Sequence, residues 1–175
     1  MPAAESFYVR EIAKKYLVGK GLDVGCGAEK VLPDAIGIDL EVQYGIPGHP
    51  KTAADEIGMW FECARKYPPA SLDYIFSSHL LEDFSDLDFS WHFLTMLTCI
   101  KRGGHLMLYL PVEDEFKAHC AETGQVYNNH HEQNWHGVTD FLNTLKRMHF
   151  APMVELVESG HGPGPYSFYV VLRKV

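Results

Sequence analysis

The chain has 175 residues, 46% of them hydrophobic and 22% charged, with a formal net charge of −8. That length is one domain by the prior of about 100–200 residues per domain, and the apolar fraction supplies a core without disulfide or metal staples. The acidic balance disfavours general nucleic-acid binding, and no apolar run approaches the roughly 20 residues that span a bilayer.

Residues 1–19 are expected to form an N-terminal helix. Phe7, Tyr8, Ile12 and Tyr16 recur at helical steps and suit either packing or a lid. Met1–Arg10 has no apolar h-region, so a secretory signal is not expected there. Leu22–Val24 reads as a short buried strand running into Gly25-Cys26-Gly27. The link Ala28–Asp34 contains Pro33 and has room for at most one helical turn. Ala35–Leu40 is a second apolar strand that carries Asp39, and Glu41–Pro50 is a Gly/Pro-rich loop. A third strand is expected over Lys51–Asp55, a helical stretch over Glu56–Tyr67 and a fourth strand over Leu72–Ser78. Phe89–Ile100 is predicted to be helical, stopped by Lys101-Arg102-Gly103-Gly104, before a fifth strand over His105–Leu110. Two more helices are predicted at Glu113–Glu122 and Val138–Met148, with a His-rich loop between them. Met153–Val157 and Ser167–Leu172 then form an antiparallel hairpin. Strand and helix alternate through most of the chain, which predicts an α/β sandwich with a mainly parallel sheet.

Asp23-Val24-Gly25-Cys26-Gly27 falls where the first strand ends. Two glycines there permit a sharp turn and let a ligand approach bare main chain. Asp39 follows sixteen residues after Asp23 (39 − 23) and closes the next strand. A carboxylate in that place can accept both hydroxyls of an adenosine ribose, through charge-assisted bonds of about 1.5–3 kcal/mol each. The dinucleotide fingerprint G-x-G-x-x-G needs a third glycine and a helix whose N-terminus meets the pyrophosphate. Lys30 stands at that third position, and the short link cannot hold the helix. S-adenosylmethionine carries no phosphate, so it fits better than NAD; Asp23 is placed to serve its ammonium group, directly or through water.

These residues resemble the class I S-adenosylmethionine-dependent methyltransferases, in particular the short bacterial type with an abbreviated first crossover (methyltransferase type 11-like). The resemblance rests on Gly21–Gly27, Ile36–Leu40, Ala53-Ala54-Asp55, Ser71–Glu82, Ile100–Pro111 and His131–Phe150, so it covers the chain from about residue 20 onward. Glu29 and Asp83 depart from it, standing where many relatives have a third glycine and a histidine. It implies a Rossmann-like three-layer sandwich, mostly parallel, with a C-terminal antiparallel hairpin and a single domain over 1–175. It places the cofactor on Asp23, Gly25, Cys26, Gly27, Asp39, Leu40, Asp55 and Ser77, with Asp55 at the adenine amino group.

Methyl transfer to oxygen or nitrogen uses a base, for which His79 and His131 are the candidates. His130, His131 and His136 suit an exposed or substrate-contacting loop, a base, or a metal; their spacing matches no zinc pattern, and no metal is expected. Tyr109 and Trp135 suit an acceptor wall. The expected activity is methyl transfer to a small-molecule or glycan acceptor, in a cytoplasmic protein with Cys26, Cys63, Cys99 and Cys120 reduced. The alternatives are a non-catalytic adenosyl-binding sensor or partner subunit and, more distantly, a nicotinamide-dependent oxidoreductase.

Overall fold

The computed structural model describes residues 5–175. Met1–Ala4, the start of the expected N-terminal helix, lie outside the described residues. A 3-10 turn over Glu5–Val9 leads into α1 (Arg10–Tyr16). Then come β1 (Gly21–Val24), β2 (Ile36–Asp39), β3 (Glu56–Ile57), α2 (Trp60–Cys63) and β4 (Leu72–Ser78). The chain continues through α3 (Asp86–Cys99), β5 (Ile100–Pro111), α4 (Glu113–Thr123), α5 (Val138–Arg147), β6 (Val154–His161) and β7 (Ser167–Lys174). No helix among the described residues is long and apolar enough to cross a membrane.

The strands form one seven-stranded sheet in the order β3-β2-β1-β4-β5-β7-β6. The first five are parallel, while β7 runs antiparallel between β5 and β6. This is the expected mostly parallel sheet with a C-terminal antiparallel hairpin. The strand order reverses between β1 and β4, so a crevice opens outside their carboxyl ends.

Alternation along the central strands builds two core layers. In β5, Leu106, Leu108 and Leu110 pack toward Phe89, Phe93 and Phe141 of α3 and α5. Met107 and Tyr109 point to the other face, with Tyr74, Phe76 and Val171, and meet Val9, Ala13 and Leu17. The second face needs the N-terminal segment as its cover because the link between β1 and β2 holds no helix, as its Pro33 and seven-residue length predict.

The third strand departs from expectation. It spans Glu56–Ile57 rather than Lys51–Asp55. Lys51 forms an isolated antiparallel bridge with Val42, and Ala53 N–H donates to Gly27 O at 2.7 Å. The backbone of 51–54 is thus spent crossing to the sheet edge, and only Asp55 N–H, donating to Gly37 O at 2.9 Å, starts the run beside β2. The third helix prediction also moves: α3 begins at Asp86 because Ser85 caps it, its Oγ accepting from Asp88 N–H at 3.2 Å. The basic pair Lys101-Arg102 lies inside β5 rather than between helix and strand, since Ile100 already pairs with Leu72.

Candidate active site

The glycine turn leaves β1 with φ +75° at Gly25 and +58° at Gly27, values that favour glycine. Gly25 N–H donates to Ile38 O at 2.8 Å, which locks the turn to β2. A Cβ at Gly25 would lie 3.1 Å from Leu80 Cδ2, whereas one at Gly27 would meet nothing within 4 Å. The main chain at Gly27 therefore faces open space, as a ligand cradle requires.

Asp39 ends β2 beside this turn, half-buried. Its Oδ2 accepts from Gly27 N–H at 2.8 Å and its Oδ1 from Leu40 N–H at 2.7 Å. Each carboxylate oxygen keeps a further lone pair for a ligand hydroxyl. Gly25, Gly27, Asp39 and Leu40 thus meet at the carboxyl ends of β1 and β2. The open face of Gly27 and the remaining acceptor capacity of Asp39 fit a nucleoside bearing two ribose hydroxyls.

The side chains of three other expected contacts bond within the protein. Asp23 is 1% exposed, and its Oδ2 accepts from Val31 N–H at 2.6 Å. It clamps the loop after the turn from beneath, while its buried Oδ1 has no partner among the described residues. Burial pushes its carboxyl up to about 7, with Asp39 adding to the shift and the Val31 bond, Lys30 and Arg10 opposing it. Ser77 is buried and its Oγ donates to Val24 O at 2.9 Å, tying β4 to β1. Asp55 lies level with Gly37, two residues short of the strand end, and its Oδ2 accepts from Lys30 Nζ at 2.9 Å and Gly37 N–H at 2.8 Å. The residue beside Asp39 across the sheet is instead Ile57, which is exposed. Cys26 is buried, and burial pushes its thiol up to about 12, so it is a protonated packing residue.

On the other side of the crevice, His79 follows the end of β4, held at φ +47°. Its backbone N–H donates to Tyr109 O at 2.9 Å, and its ring packs edge-on against Tyr109 and Tyr166. Nε2 lies 3.0 Å from Ser167 Oγ and Nδ1 lies 3.1 Å from Glu5 Oε2. A carboxylate facing Nδ1 favours the proton there and leaves Nε2 to accept from the serine. Burial holds the imidazole below its ordinary value; Glu5 opposes that, and His131 adds to it. The neutral ring is therefore a base in the correct form at pH 7, with both nitrogens engaged.

His131 is buried rather than on an exposed loop, its side chain 3% exposed. Its ring stacks on Phe116, and Nδ1–H donates to Glu113 Oε2 at 2.8 Å. Glu113 also accepts from Tyr127 O–H and pairs with Lys117 Nζ at 3.1 Å. Burial alone would raise the Glu113 carboxyl, but these three donors together hold it below the ordinary carboxylate range. His130 and His136 are exposed. Among the described residues no group of three His, Cys, Asp or Glu is arranged to hold a metal ion. Trp135 is not an acceptor wall: it packs against Phe89 and Phe141, and its indole N–H donates to Thr144 Oγ1 at 3.1 Å.

Sequence reasoning missed Glu5, Glu82, Glu113 and Tyr166, which gather round the two histidines. Glu82 is 1% exposed, and its Oε1 lies 3.7 Å from His79 Nδ1 while Oε2 has no partner. Burial pushes its carboxyl well up, and Asp83, Glu5 and Glu113 add to the rise. The available signal was position: Glu82 and Glu113 each follow the carboxyl end of a central strand by only a few residues. The N-terminal segment spans both halves of the site. Arg10 Nη2 pairs with Glu29 Oε1 at 2.8 Å, and Arg10 Nε donates to Val31 O at 2.9 Å, while Glu5 reaches His79.

No protein-family model matches the chain, and no curated protein matches it. Solved structures do. A protein of Pyrococcus horikoshii OT3 superposes with a TM-score of 0.66 at 16% identity, over 96% of this chain and 88% of that one. An S-adenosylmethionine-dependent methyltransferase of Archaeoglobus fulgidus gives 0.65 at 12% identity, over 98% and 95%. The magnesium protoporphyrin IX methyltransferase of Synechocystis PCC 6803, solved with S-adenosylhomocysteine, gives 0.57 at 13% identity, over 98% and 81%. The chain has the class I methyltransferase fold, Rossmann-like, with the antiparallel seventh strand inserted between the fifth and sixth.

Proposed function

We propose that the chain transfers a methyl group from S-adenosylmethionine to a small-molecule or glycan acceptor. The observation that carries this reading is the pairing of a bare, left-handed glycine turn with the Asp39 carboxylate, with no helix behind the turn to receive a pyrophosphate. In it, Asp39 takes the ribose hydroxyls and the Gly25–Gly27 main chain lies along the cofactor. The exposed Ile57 and Met59 border the adenine, in place of Asp55, whose carboxylate is committed to Lys30 and Gly37.

When bound, the cofactor supplies a methyl carbon activated by positive sulfur. The chain's own residues then hold the acceptor in line behind it, and positioning of this kind is worth about 7–11 kcal/mol in favourable systems. His79 stands on the acceptor side in its neutral form. Glu113, which accepts from His131, fixes the segment carrying that histidine, so His131 positions the acceptor wall rather than moving a proton. We further infer a single domain over the whole chain and a cytoplasmic setting, which suits the four free, buried cysteines.

A non-catalytic adenosyl-binding module is the second reading. The fact favouring it is that both candidate bases already have ring nitrogens engaged by the protein. Incubation with methyl-tritiated S-adenosylmethionine and a panel of small acids, amines, phenols and sugars separates the two. Label transfer that disappears in Asp39→Ala supports the enzyme. Binding of the cofactor with no transfer to any acceptor supports the module, and absence of binding removes both.

A further inference from the structure

The carboxylate of Glu5 is held in a small donor cradle. Its Oε1 accepts from the phenol O–H of Tyr166, and its Oε2 lies 3.1 Å from His79 Nδ1. The two donors come from different parts of the fold, the end of β4 and the residue before β7, and meet at the carboxyl edge of the sheet. Tyr166 is 6% exposed and the His79 side chain 13% exposed. Glu5 is the one member of the trio borne by the N-terminal segment, and its side chain is 35% exposed. The acid is therefore reachable from solvent while its partners are fixed in the core.

We propose, resting on the methyltransferase reading above, that Glu5 stands in for a carboxylate of the acceptor, and that the His79–Tyr166 cradle takes a small carboxylic acid. The exchange preserves charge. Asp83 acts on the cradle's histidine, Glu82 lies 3.7 Å from it, and burial favours the ring's uncharged form. An acceptor carboxylate that replaces the Glu5 carboxylate adds no net charge to this environment. Glu82 strengthens the case. Its buried Oε2 lacks a partner, and burial favours its acid form, which donates to an oxygen acceptor. A carboxylate also answers the problem of the engaged base, since it is nucleophilic without losing a proton. In that step the carboxylate oxygen would bond to the methyl carbon as the carbon–sulfur bond breaks, the electron pair staying on sulfur to give a neutral thioether and a methyl ester.

The test uses the full chain with labelled histidine, and NMR of the His79 ring, assigned by comparison with His79→Asn. In Glu5→Ala, sodium propionate is expected to shift the His79 resonances saturably, and at least about 10-fold more tightly than in the wild type, where the tethered Glu5 competes at the millimolar effective concentration of a linked group. Adding Tyr166→Phe should abolish the shift. An equal or larger shift with propionamide or propylamine, or no saturable shift in a folded Glu5→Ala, overturns the proposal. Should Glu5→Ala fail to fold, the wild-type acceptor screen decides: carboxylic acids methylated in preference to their amides support it, and the reverse order overturns it. The two readings fail separately. Propionate binding without cofactor binding removes the methyltransferase reading alone, and cofactor binding without propionate binding removes the cradle alone.

Discussion

The Asp39 carboxylate accepts the Gly27 N–H at 2.8 Å, joining the end of the second strand to the turn that leaves the first. One carboxylate both shapes the glycine turn and presents the acceptor atoms beside it. Asp39→Ala is expected to weaken S-adenosylmethionine binding by at least about 10-fold, since charge-assisted bonds contribute about 1.5–3 kcal/mol each. Isothermal titration measures it; unchanged affinity would place the ribose elsewhere.

Gly27 and Gly25 should respond differently to added bulk. A Cβ at Gly27 meets nothing within 4 Å, although its φ of +58° strains any other residue by about 1–2 kcal/mol. Gly27→Val is expected to leave a folded protein with its melting temperature lowered by a few degrees and its cofactor binding lost, because the ligand needs that space. Gly25→Val, strained at φ +75° and with its Cβ 3.1 Å from Leu80 Cδ2, is expected to lose more stability than Gly27→Val. Urea unfolding beside titration of each variant distinguishes the two outcomes.

Two buried acids give opposite dependences on pH. Asp23 has its folded-state carboxyl raised to about 7, so the folded state holds a proton that the unfolded chain has released. Its contribution therefore falls as pH rises from about 4 to 7, at up to about 1.4 kcal/mol per pH unit. Asp23→Asn should flatten that decline in urea midpoints; an unchanged slope would mean the carboxyl is ionised in the fold.

Glu113 has its carboxyl held low, so its stabilising contribution is full above the unfolded value of 4.5 and is lost as pH falls below it, through the folded value. Glu113→Gln removes the charged acceptor facing His131, Tyr127 and Lys117. It is expected to cost several kcal/mol at pH 7, as breaking a buried pair does, and much less at pH 3. Equal losses at both pH values would contradict the pairing.

Ser85→Ala removes the cap of the third helix and should cost about 1 kcal/mol of stability with cofactor affinity unchanged. A loss of affinity in this variant would show that the helix start reports on the site.

Strand positions were legible where apolar runs were bounded by turn residues. Leu72–Ser78 and the hairpin through Ser167 follow directly from the sequence, as do the glycine turn and Asp39. The third strand was not legible, because two residues at a sheet edge carry no periodicity and are set by pairing with β2. Asp55 moved with it. The burial of His131 and Trp135 was hidden for a related reason: their segment has no regular structure, and it is fixed by long-range partners, Glu113 and Thr144. Glu5 was hidden because its meeting with His79 spans the whole first half of the domain and depends on the packing of the N-terminal segment.

Native mass spectrometry of the purified chain with S-adenosylmethionine, and with NAD as the control, bears most directly on the central claim. One adenosyl ligand per chain from S-adenosylmethionine or its demethylated product, reduced in Asp39→Ala, is the result predicted. No adduct with either, or an adduct with NAD that survives Asp39→Ala, would contradict it.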